Sequence, residues 1–264
     1  MDKDSSAPLV SIVTVAYNSA ATIEATLMSV QEQSYGNIEH IIVDGNSTDK
    51  TLEIVNRYAS SSTRSIRVIS ESDRGIYDAI NKGIKAASGL IIATLNSDDV
   101  YANETIVDTV VQVMQRESLD ALFGDIDYFS QKNFSKSIRL YKSSGFSSKS
   151  LEYGKVPAHP SLFLRREIFA IYGVYKPNYQ IAGDFEFMAR ILKNNLLNYR
   201  YLPEIIVRMR IGGVSNVSIK NRLLITLEIY KACKENGIKT NFLKLISRYP
   251  SKILEYIKAY KFSN

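Results

Sequence analysis

Cysteine and long apolar runs are the two features that this chain has least of. Its 264 residues include one cysteine, Cys233, which excludes an intramolecular disulfide framework and a cysteine-rich metal site. The apolar run at residues 86–96 falls far short of the ~18 uncharged residues that suggest a membrane-spanning helix. The first six residues are polar and lack the apolar segment of a secretory signal. We therefore expect a cytoplasmic protein that does not span a membrane.

Positive charge is concentrated at one end of the chain. The net charge is +6, yet residues 220–264 contain ten Lys and Arg against three Glu, which leaves residues 1–219 close to neutral. Apolar residues make up 45% and charged residues 23% of the chain, as is ordinary for a soluble globular protein. A chain of this length accommodates one large α/β domain, or one domain with an appendage.

The first half of the sequence alternates short β-rich runs with amphipathic helical patterns. These patterns predict strands at residues 9–15, 38–43, 66–70, 90–95 and 121–128, with helices at residues 20–33, 49–58, 76–87 and 104–114. Continuously apolar strands that alternate with helices predict an α/β fold with a Rossmann-like, mostly parallel central sheet covered on both faces.

The pattern changes after Tyr128. Residues 131–153 are polar and rich in Ser and Lys, which predicts a β excursion or a mobile loop. A short helix is predicted at residues 185–194 between strands at residues 160–164 and 201–210, and two amphipathic helices follow at residues 219–235 and 241–260. We therefore divide the chain into an α/β domain, residues 1–215, and a basic helical appendage, residues 216–264, called the tail below.

Acidic residues cluster where the predicted strands end. Asp44 follows the second strand, Asp73 the third, and Asp98 and Asp99 the fourth. Ligands bind at the carboxyl ends of strands in an open α/β sheet, so these carboxylates are expected to share one crevice. Asp44 comes one residue too early to cap the next helix, and its carboxylate can accept a hydrogen bond from a base N–H or a ribose hydroxyl.

The adjacent acids Asp98 and Asp99 end a fully apolar strand. Two carboxylates there repel each other and lose solvent, so a cation between them is a natural compensation. A site of this kind suits Mg²⁺ or Mn²⁺ held also by diphosphate oxygens of a substrate. The alternative is that the two acids cap the helix that follows. At residues 47–49 we expect helix capping alone.

Two further polar positions have both a chemical and a structural interpretation. Asp184 follows Gly183 at a predicted helix start, where its carboxylate can act as a general base or cap the helix. His159 stands between Ala158 and Pro160, where it is either a hydrogen-bonded turn residue or a contact to a ligand.

Several segments, in this order and spacing, resemble family 2 glycosyltransferases of the GT-A fold. They are VSIVTVAYN from Val10, VDGNSTDKT from Val43, SDRGIYDAINKG from Ser72, NSDD from Asn96 and AGDFEF from Ala182. The resemblance covers roughly residues 8–215 and is closest to the bacterial branch that assembles polysaccharides such as O-antigen, lipopolysaccharide and exopolysaccharide.

The resemblance implies the transfer of a hexose, with inversion, from a nucleoside-diphosphate sugar to a saccharide acceptor. UDP is the expected carrier, and a lipid-linked acceptor is expected. It implies Asp184 as the catalytic base and Asp99 as the ligand of Mn²⁺ or Mg²⁺. The remaining implied contacts are to the nucleotide sugar, by Tyr17, Asp44, Arg74 and Asp98, and to the acceptor or the diphosphate, by His159 and Glu186.

This chain departs from the family's pattern in two places. Many relatives carry a second acid directly after the Asp44 position, where this chain has Gly45. Some GT-A enzymes use a late histidine as a metal ligand, whereas the only histidines here are His40 and His159. Because of these departures, no residue is assigned to a second contact with the nucleotide base or to a third protein ligand of the metal.

Two other classes of protein share part of this pattern. A nucleotidyltransferase also pairs an α/β sheet with a carboxylate-bound metal, but it needs a glycine-rich basic loop after the first strand, and residues 16–20 contain neither glycine nor a basic residue. A non-catalytic sugar- or nucleotide-binding module would not need both Asp99 and Asp184.

The tail also has two interpretations. Its lysines alternate with apolar residues at helical spacing, which is typical of a helix docked on an anionic membrane surface. The same stripes can instead pack on the catalytic body or on a second subunit, which would give an oligomer. No recognisable nucleic-acid-binding motif accompanies the charge, so no nucleic-acid partner is expected.

Overall fold

The structure is a computed structural model, and it describes residues 7–130, 133–211 and 219–247. The strands are β1 (Val10–Ala16), β2 (Ile38–Asp44), β3 (Ser65–Ser70), β4 (Ile91–Thr94), β5 (Asp99–Tyr101), β6 (Ala121–Ser130), β7 (Asn133–Tyr141), β8 (Phe163–Arg165) and β9 (Tyr199–Arg210). The helices are α1 (Ile23–Gln31), α2 (Thr51–Ser61), α3 (Ile76–Ala86), α4 (Ile106–Arg116), α5 (Arg166–Tyr172), α6 (Gly183–Leu192), α7 (Ile219–Glu235) and α8 (Phe242–Ile246).

The described strands form one sheet in the order β3-β2-β1-β4-β8-β6-β9-β5, and β7 pairs with β6. The half built from β1 to β4 is parallel, as the alternating pattern predicts. Strand β8 pairs antiparallel with both β4 and β6, while β6 and β9 are parallel. The predicted α/β class is therefore confirmed, with a parallel first half and a mixed second half.

Apolar residues alternate between the two faces of the central strands. Val13 and Val15 of β1 join a core that also contains residues of α3, α6 and α7. Val10 and Ile12 point to the opposite face and pack with α4. Successive side chains of a strand lie on opposite faces of its sheet, so a strand such as β1, buried along its whole length, has helices on both sides.

The polar segment at residues 131–153 contains regular structure in the part that is described. Strand β7 continues a hairpin with β6, and a short 3₁₀ helix spans Ser148–Tyr153. The β excursion is therefore the correct alternative for residues 133–141.

The first helix of the tail packs on the rest of the described structure. Ile229, Ala232 and Cys233 of α7 are buried in the same core as α6, and Leu245 of α8 is buried there too. The proposed boundary at residue 215 and most of the second predicted tail helix, residues 248–260, lie outside the described residues. No helix within the described ranges is long and apolar enough to cross a membrane.

Candidate active site

The loops that follow β1, β2 and β4 are joined at the carboxyl edge of the sheet. Asn18, which has a positive φ of 48°, donates its backbone N–H to Ser47 Oγ (2.9 Å), and its side-chain oxygen accepts from Thr48 N (2.9 Å). Ser97 Oγ donates to Ser19 Oγ (2.8 Å). Ser47 and Thr48 therefore fasten two loops together, and the expectation that they cap α2 is wrong. Asp49 Oδ1 does accept from Thr51 N (2.9 Å), the first residue of α2, as expected for a residue at the helix start.

Asp44 ends β2 and has no exposed surface. Its carboxylate accepts hydrogen bonds from Ser47 N (3.1 Å), Ser47 Oγ (2.5 Å) and Ser70 Oγ (2.8 Å). These bonds tie the end of β3 to the loop after β2. In this arrangement Asp44 organises the ends of β2 and β3, and a contact from Asp44 to a nucleotide base stays a prediction.

Asp73 occupies the space beside Asp44 that a side chain at residue 45 would fill. A Cβ added to Gly45 would lie 2.5 Å from Asp73 Oδ2 and 3.4 Å from the ring of Tyr17. Asp73 Oδ1 accepts from Gly75 N (2.9 Å), and the Tyr17 side chain is 64% exposed. The carboxylate missing after Asp44 is thus replaced in space by Asp73, which sequence reasoning placed at the edge without giving it a role.

Arg74 lies next to Asp73, at the start of α3. Its guanidinium is 78% exposed and pairs with Asp78 at 3.3 Å. Exposed ion pairs of this kind contribute little, so the guanidinium is free to turn toward an anion at this edge.

Asp98 and Asp99 are adjacent in the chain and differ in exposure. Asp98 is half-buried, whereas Asp99 has no exposed surface. Burial raises the pKa of Asp98 above its usual range. Burial and the charge of Asp98 raise the pKa of Asp99 well above its usual range. The pair therefore carries an electrostatic cost that a bound cation would relieve.

The two acids belong to the loop and short strand between β4 and α4. Asp99 begins β5, which pairs with the end of β9, and Arg210 there lowers the pKa of both acids against the effect of burial. Helix α4 starts at Ile106 after its N-cap, Thr105. The alternative that Asp98 and Asp99 cap this helix is therefore wrong.

Asp184 is the second residue of α6, whose N-cap is Ala182, so Asp184 is not a cap. Its Oδ1 accepts from Phe185 N (2.7 Å), and no described residue forms a hydrogen bond with its Oδ2. The side chain is partly exposed. One carboxylate oxygen is therefore fixed and the other is open.

Tyr77 joins the start of α6 to the carboxyl edge. It lies in the first turn of α3, directly after the loop of Asp73, and its hydroxyl donates to Ile181 O (2.5 Å). A Cβ added to Gly183 would lie 2.6 Å from its ring. Burial raises the pKa of Tyr77, and the nearby Asp184 carboxylate raises it further. Asp184 is thus held beside the edge that carries the other acids.

His159 belongs to the same cluster. Its Nε2 lies 2.7 Å from the hydroxyl of Tyr175, and the Tyr175 ring stacks on Tyr77 with centroids 6.0 Å apart. Burial lowers the pKa of His159, while the charge of Asp184 acts in the opposite direction. The imidazole is therefore neutral near pH 7, with one nitrogen already engaged, which favours the hydrogen-bonded structural interpretation.

Glu186 is fully buried and paired with cations. Its carboxylate contacts Arg190 Nη2 (2.8 Å) and Lys176 Nζ (3.0 Å), and Asn236 Nδ2 of the loop after α7 lies 3.3 Å away. Burial alone would raise the pKa of Glu186, but these partners outweigh it and lower the pKa. The arrangement favours a structural role over the predicted contact with an acceptor or a diphosphate.

The residues present fit a metal only in part. Within the described ranges, no group of three or more His, Cys, Asp and Glu side chains is arranged to hold an ion. Asp99 Oδ1, however, is buried and has no hydrogen-bond partner among the described residues. One orphaned carboxylate oxygen beside a second acid suits a hard divalent cation that takes its other ligands from substrate and water.

These features define an α/β protein with a cluster of carboxylates at the carboxyl edge of its sheet, and solved structures share the fold. S. aureus TarS in complex with UDP superimposes with a TM-score of 0.63 at 18% identity, over 85% of this chain and 65% of that chain. A mannosyltransferase from Pyrobaculum calidifontis in complex with GDP-Man and Mn²⁺ gives 0.63 at 19% identity, over 88% and 64% of the two chains. The predicted GT-A fold is confirmed.

The chain belongs to glycosyl transferase family 2, whose profile matches residues 11–170. It is 29% identical over 249 residues to a PGL/p-HBAD biosynthesis glycosyltransferase of Mycobacterium tuberculosis, covering 94% of this chain and 93% of the relative. It is also 32% identical over 188 residues to an uncharacterized glycosyltransferase of the same species, covering 70% and 69% of the two chains. The protein is a glycosyltransferase.

Proposed function

We propose that the enzyme transfers a hexose from a UDP-sugar to a saccharide acceptor, with inversion at the anomeric carbon, in the biosynthesis of a cell-surface polysaccharide. The observation that carries the proposal is the attachment of the α6 start, with Asp184, to the carboxyl edge through Tyr77. A relative involved in PGL/p-HBAD biosynthesis and a structural neighbour bound to UDP support the reaction class and the carrier.

In the proposed reaction Asp184 acts as the general base. Its open Oδ2 takes the proton of the acceptor hydroxyl as the acceptor oxygen bonds to the anomeric carbon. The bond from that carbon to the diphosphate oxygen breaks in the same step, and the nucleoside diphosphate leaves with the electron pair. A single displacement of this kind inverts the anomeric configuration.

Asp98 and Asp99 would hold a divalent cation, Mn²⁺ or Mg²⁺, which supplies charge neutralisation of the donor diphosphate when bound. The orphaned oxygen of Asp99 and the Mn²⁺ complex of a structural neighbour support this assignment. Tyr17 and Asp73 offer a flat ring and a carboxylate for the nucleotide base, and Arg74 offers a cation for the diphosphate.

Asp184→Asn tests the proposed base, because it keeps the shape of the side chain and removes its basicity. Release of nucleoside diphosphate from UDP-glucose, UDP-GlcNAc or GDP-mannose should fall by roughly 10²-fold or more, with donor affinity unchanged. Asp108→Asn is the matched control, since Asp108 is the first-turn acid of α4. Full turnover by Asp184→Asn, or a product that keeps the donor's anomeric configuration, would contradict the proposal.

We further propose that the tail docks the enzyme on an anionic membrane at the cytoplasmic face, beside a lipid-linked acceptor. Leu243 and Ile246 of α8 are 81% and 51% exposed. Beside them, Lys234, Lys239 and Lys244 line a pocket of about 410 Å³. Apolar side chains next to several lysines suit the interface of an anionic bilayer, where each cation contributes about 1 kcal/mol.

Co-sedimentation with vesicles tests the docking surface. The full chain should bind vesicles that contain an anionic phospholipid, and binding should weaken with salt. Leu243→Asp should reduce it several-fold, because it places a charge in the apolar contact. Leu196→Asp is the control, since Leu196 is 72% exposed on the loop before β9. Equal binding by the two variants, or no binding at low salt, would reject the docking proposal.

A further inference from the structure

Three consecutive backbone N–H groups immediately before α6 converge on one carboxylate. Gln180 N donates to Oε1 of Glu228 at 2.7 Å, and Ile181 N and Ala182 N donate to Oε2 at 2.9 and 2.8 Å. Glu228 lies on α7 and is 8% exposed. A side chain from a helix of the tail is therefore the acceptor in all three hydrogen bonds.

Hydrogen bonds to an ionised carboxylate are shorter and stronger than those between neutral groups. A buried carboxylate is costly unless its lone pairs are satisfied, and the three N–H groups satisfy those of Glu228. These three hydrogen bonds therefore restrain the backbone of residues 180–182.

The same segment is held from the opposite side by α3. The carbonyl oxygen of Ile181 accepts from the Tyr77 hydroxyl, so N–H and C=O groups of one three-residue loop are bound by two different helices. Ala182 is the N-cap of α6, and Asp184 follows two residues later. A shift of the loop would move the start of α6 and its carboxylate with it.

We infer that Glu228 is a positioning residue for Asp184, and that α7 thereby forms part of the catalytic apparatus. The inference rests on the proposed function, in which Asp184 is the base. Glu228 touches no reacting atom in this scheme and acts only through the backbone of residues 180–182.

Glu235 provides a contrast on the same helix. Its Oε2 accepts from Lys176 Nζ (2.7 Å) and from the Tyr179 hydroxyl (3.1 Å). These are side chains rather than the backbone that leads into α6. Glu235 anchors α7 to the body, as Glu228 does, without holding the loop before Asp184.

The test compares Glu228→Gln with Glu235→Gln in the full chain. Glutamine has one acceptor oxygen, so its NH₂ group must face at least one of the three N–H donors. We expect Glu228→Gln to lower kcat for release of nucleoside diphosphate by roughly tenfold or more, since a misplaced base is slow, with the Kd for UDP unchanged. Backbone hydrogen exchange at residues 180–184 should accelerate. Glu235→Gln should lose stability and retain kcat.

A double substitution separates this inference from the proposal on which it rests. Glu228→Gln in an Asp184→Asn background should cause little further loss, because the base it positions is already absent. If Asp184→Asn is inactive but Glu228→Gln and Glu235→Gln have the same kcat, the positioning role is wrong and the base assignment stands. If Asp184→Asn turns over at the wild-type rate, both are wrong.

Discussion

Gly183→Ala gives the sharpest available test of how the start of α6 is held. The new Cβ would lie 2.6 Å from one carbon of the Tyr77 ring and 2.8 Å from two others. Real Cβ atoms do not approach so closely, so one partner must move. Tyr77 is 6% exposed and held through its hydroxyl by Ile181 O. We therefore expect the backbone at the start of α6 to give way.

The expected size of the effect follows from this geometry. Extra atoms in a well-packed core typically cost about 1–3 kcal/mol, which for a chain of this size lowers Tm by roughly 2–4 °C per kcal/mol. The displaced residue next to Gly183 is Asp184. A misplacement of about 1 Å near the chemistry can slow an enzyme by ~10²-fold, so turnover should fall far more than stability does.

Gly89→Ala is the matched control because it makes the same chemical change at a similarly tight contact outside α3 and α6. A Cβ at Gly89 would lie 2.5 Å from Ser11 Oγ and 2.7 Å from Leu9 O, just before β4 begins. We expect a similar loss of Tm with turnover largely retained below the transition. The measurements are Tm by calorimetry and release of nucleoside diphosphate. Equal kcat in the two variants would refute the argument that the backbone at the start of α6 positions the Asp184 carboxylate.

Three further predictions concern the remaining carboxylates. Burial and Asp98 raise the pKa of Asp99, so the contribution of Asp99 to the stability of the metal-free protein should become unfavourable as pH rises above about 4. Asp99→Asn should raise Tm at pH 7 in chelator and abolish the gain from Mn²⁺, measured by thermal shift. The pKa of Glu186 is lowered, so its stabilisation is present above about pH 4.5 and is lost as pH falls. Glu186→Gln should lower the free energy of unfolding by up to about 3 kcal/mol at neutral pH. In urea titrations it should also make the free energy of unfolding fall less steeply as pH is lowered. Asp73→Ala should weaken UDP binding by roughly 10-fold, as expected for a lost hydrogen bond to a charged group, measured calorimetrically.

The parallel half of the sheet could be predicted because its information is local. In this half, short β-rich runs alternate with amphipathic helical patterns, and that alternation specifies the parallel connections. The second half could not, because β8 finds its place through antiparallel pairing of Ile91 with Arg165 and of Ala121 with Leu164. Strand β5, with three residues, is too short to leave any periodicity.

The sequence predicted that the candidate site lies at the carboxyl edge of the sheet, but it did not predict the contacts between the side chains there. Strand ends located Asp44 and Asp73 in one crevice, but only side-chain geometry shows that Asp44 is saturated by Ser47 and Ser70 while Asp73 fills the space at Gly45. Adjacent acids predicted a cation at Asp98 and Asp99, which stays a prediction. No local pattern links the loop before Asp184 to a carboxylate on a helix of the tail.

The packing of α7 also determines where this chain can be truncated and how relatives with other C-terminal helices should differ from it. The family profile ends at residue 170, and a cut at residue 215 looks natural from charge alone. A chain shortened there would lose Glu228 together with the buried Ile229 and Cys233, and it would uncover residues of α6 that share a core with them. The tail is thus not an interchangeable module, since replacing it would alter the loop that precedes Asp184. Relatives that share the first 170 residues but carry different C-terminal helices should therefore differ in turnover even where their nucleotide crevices are the same.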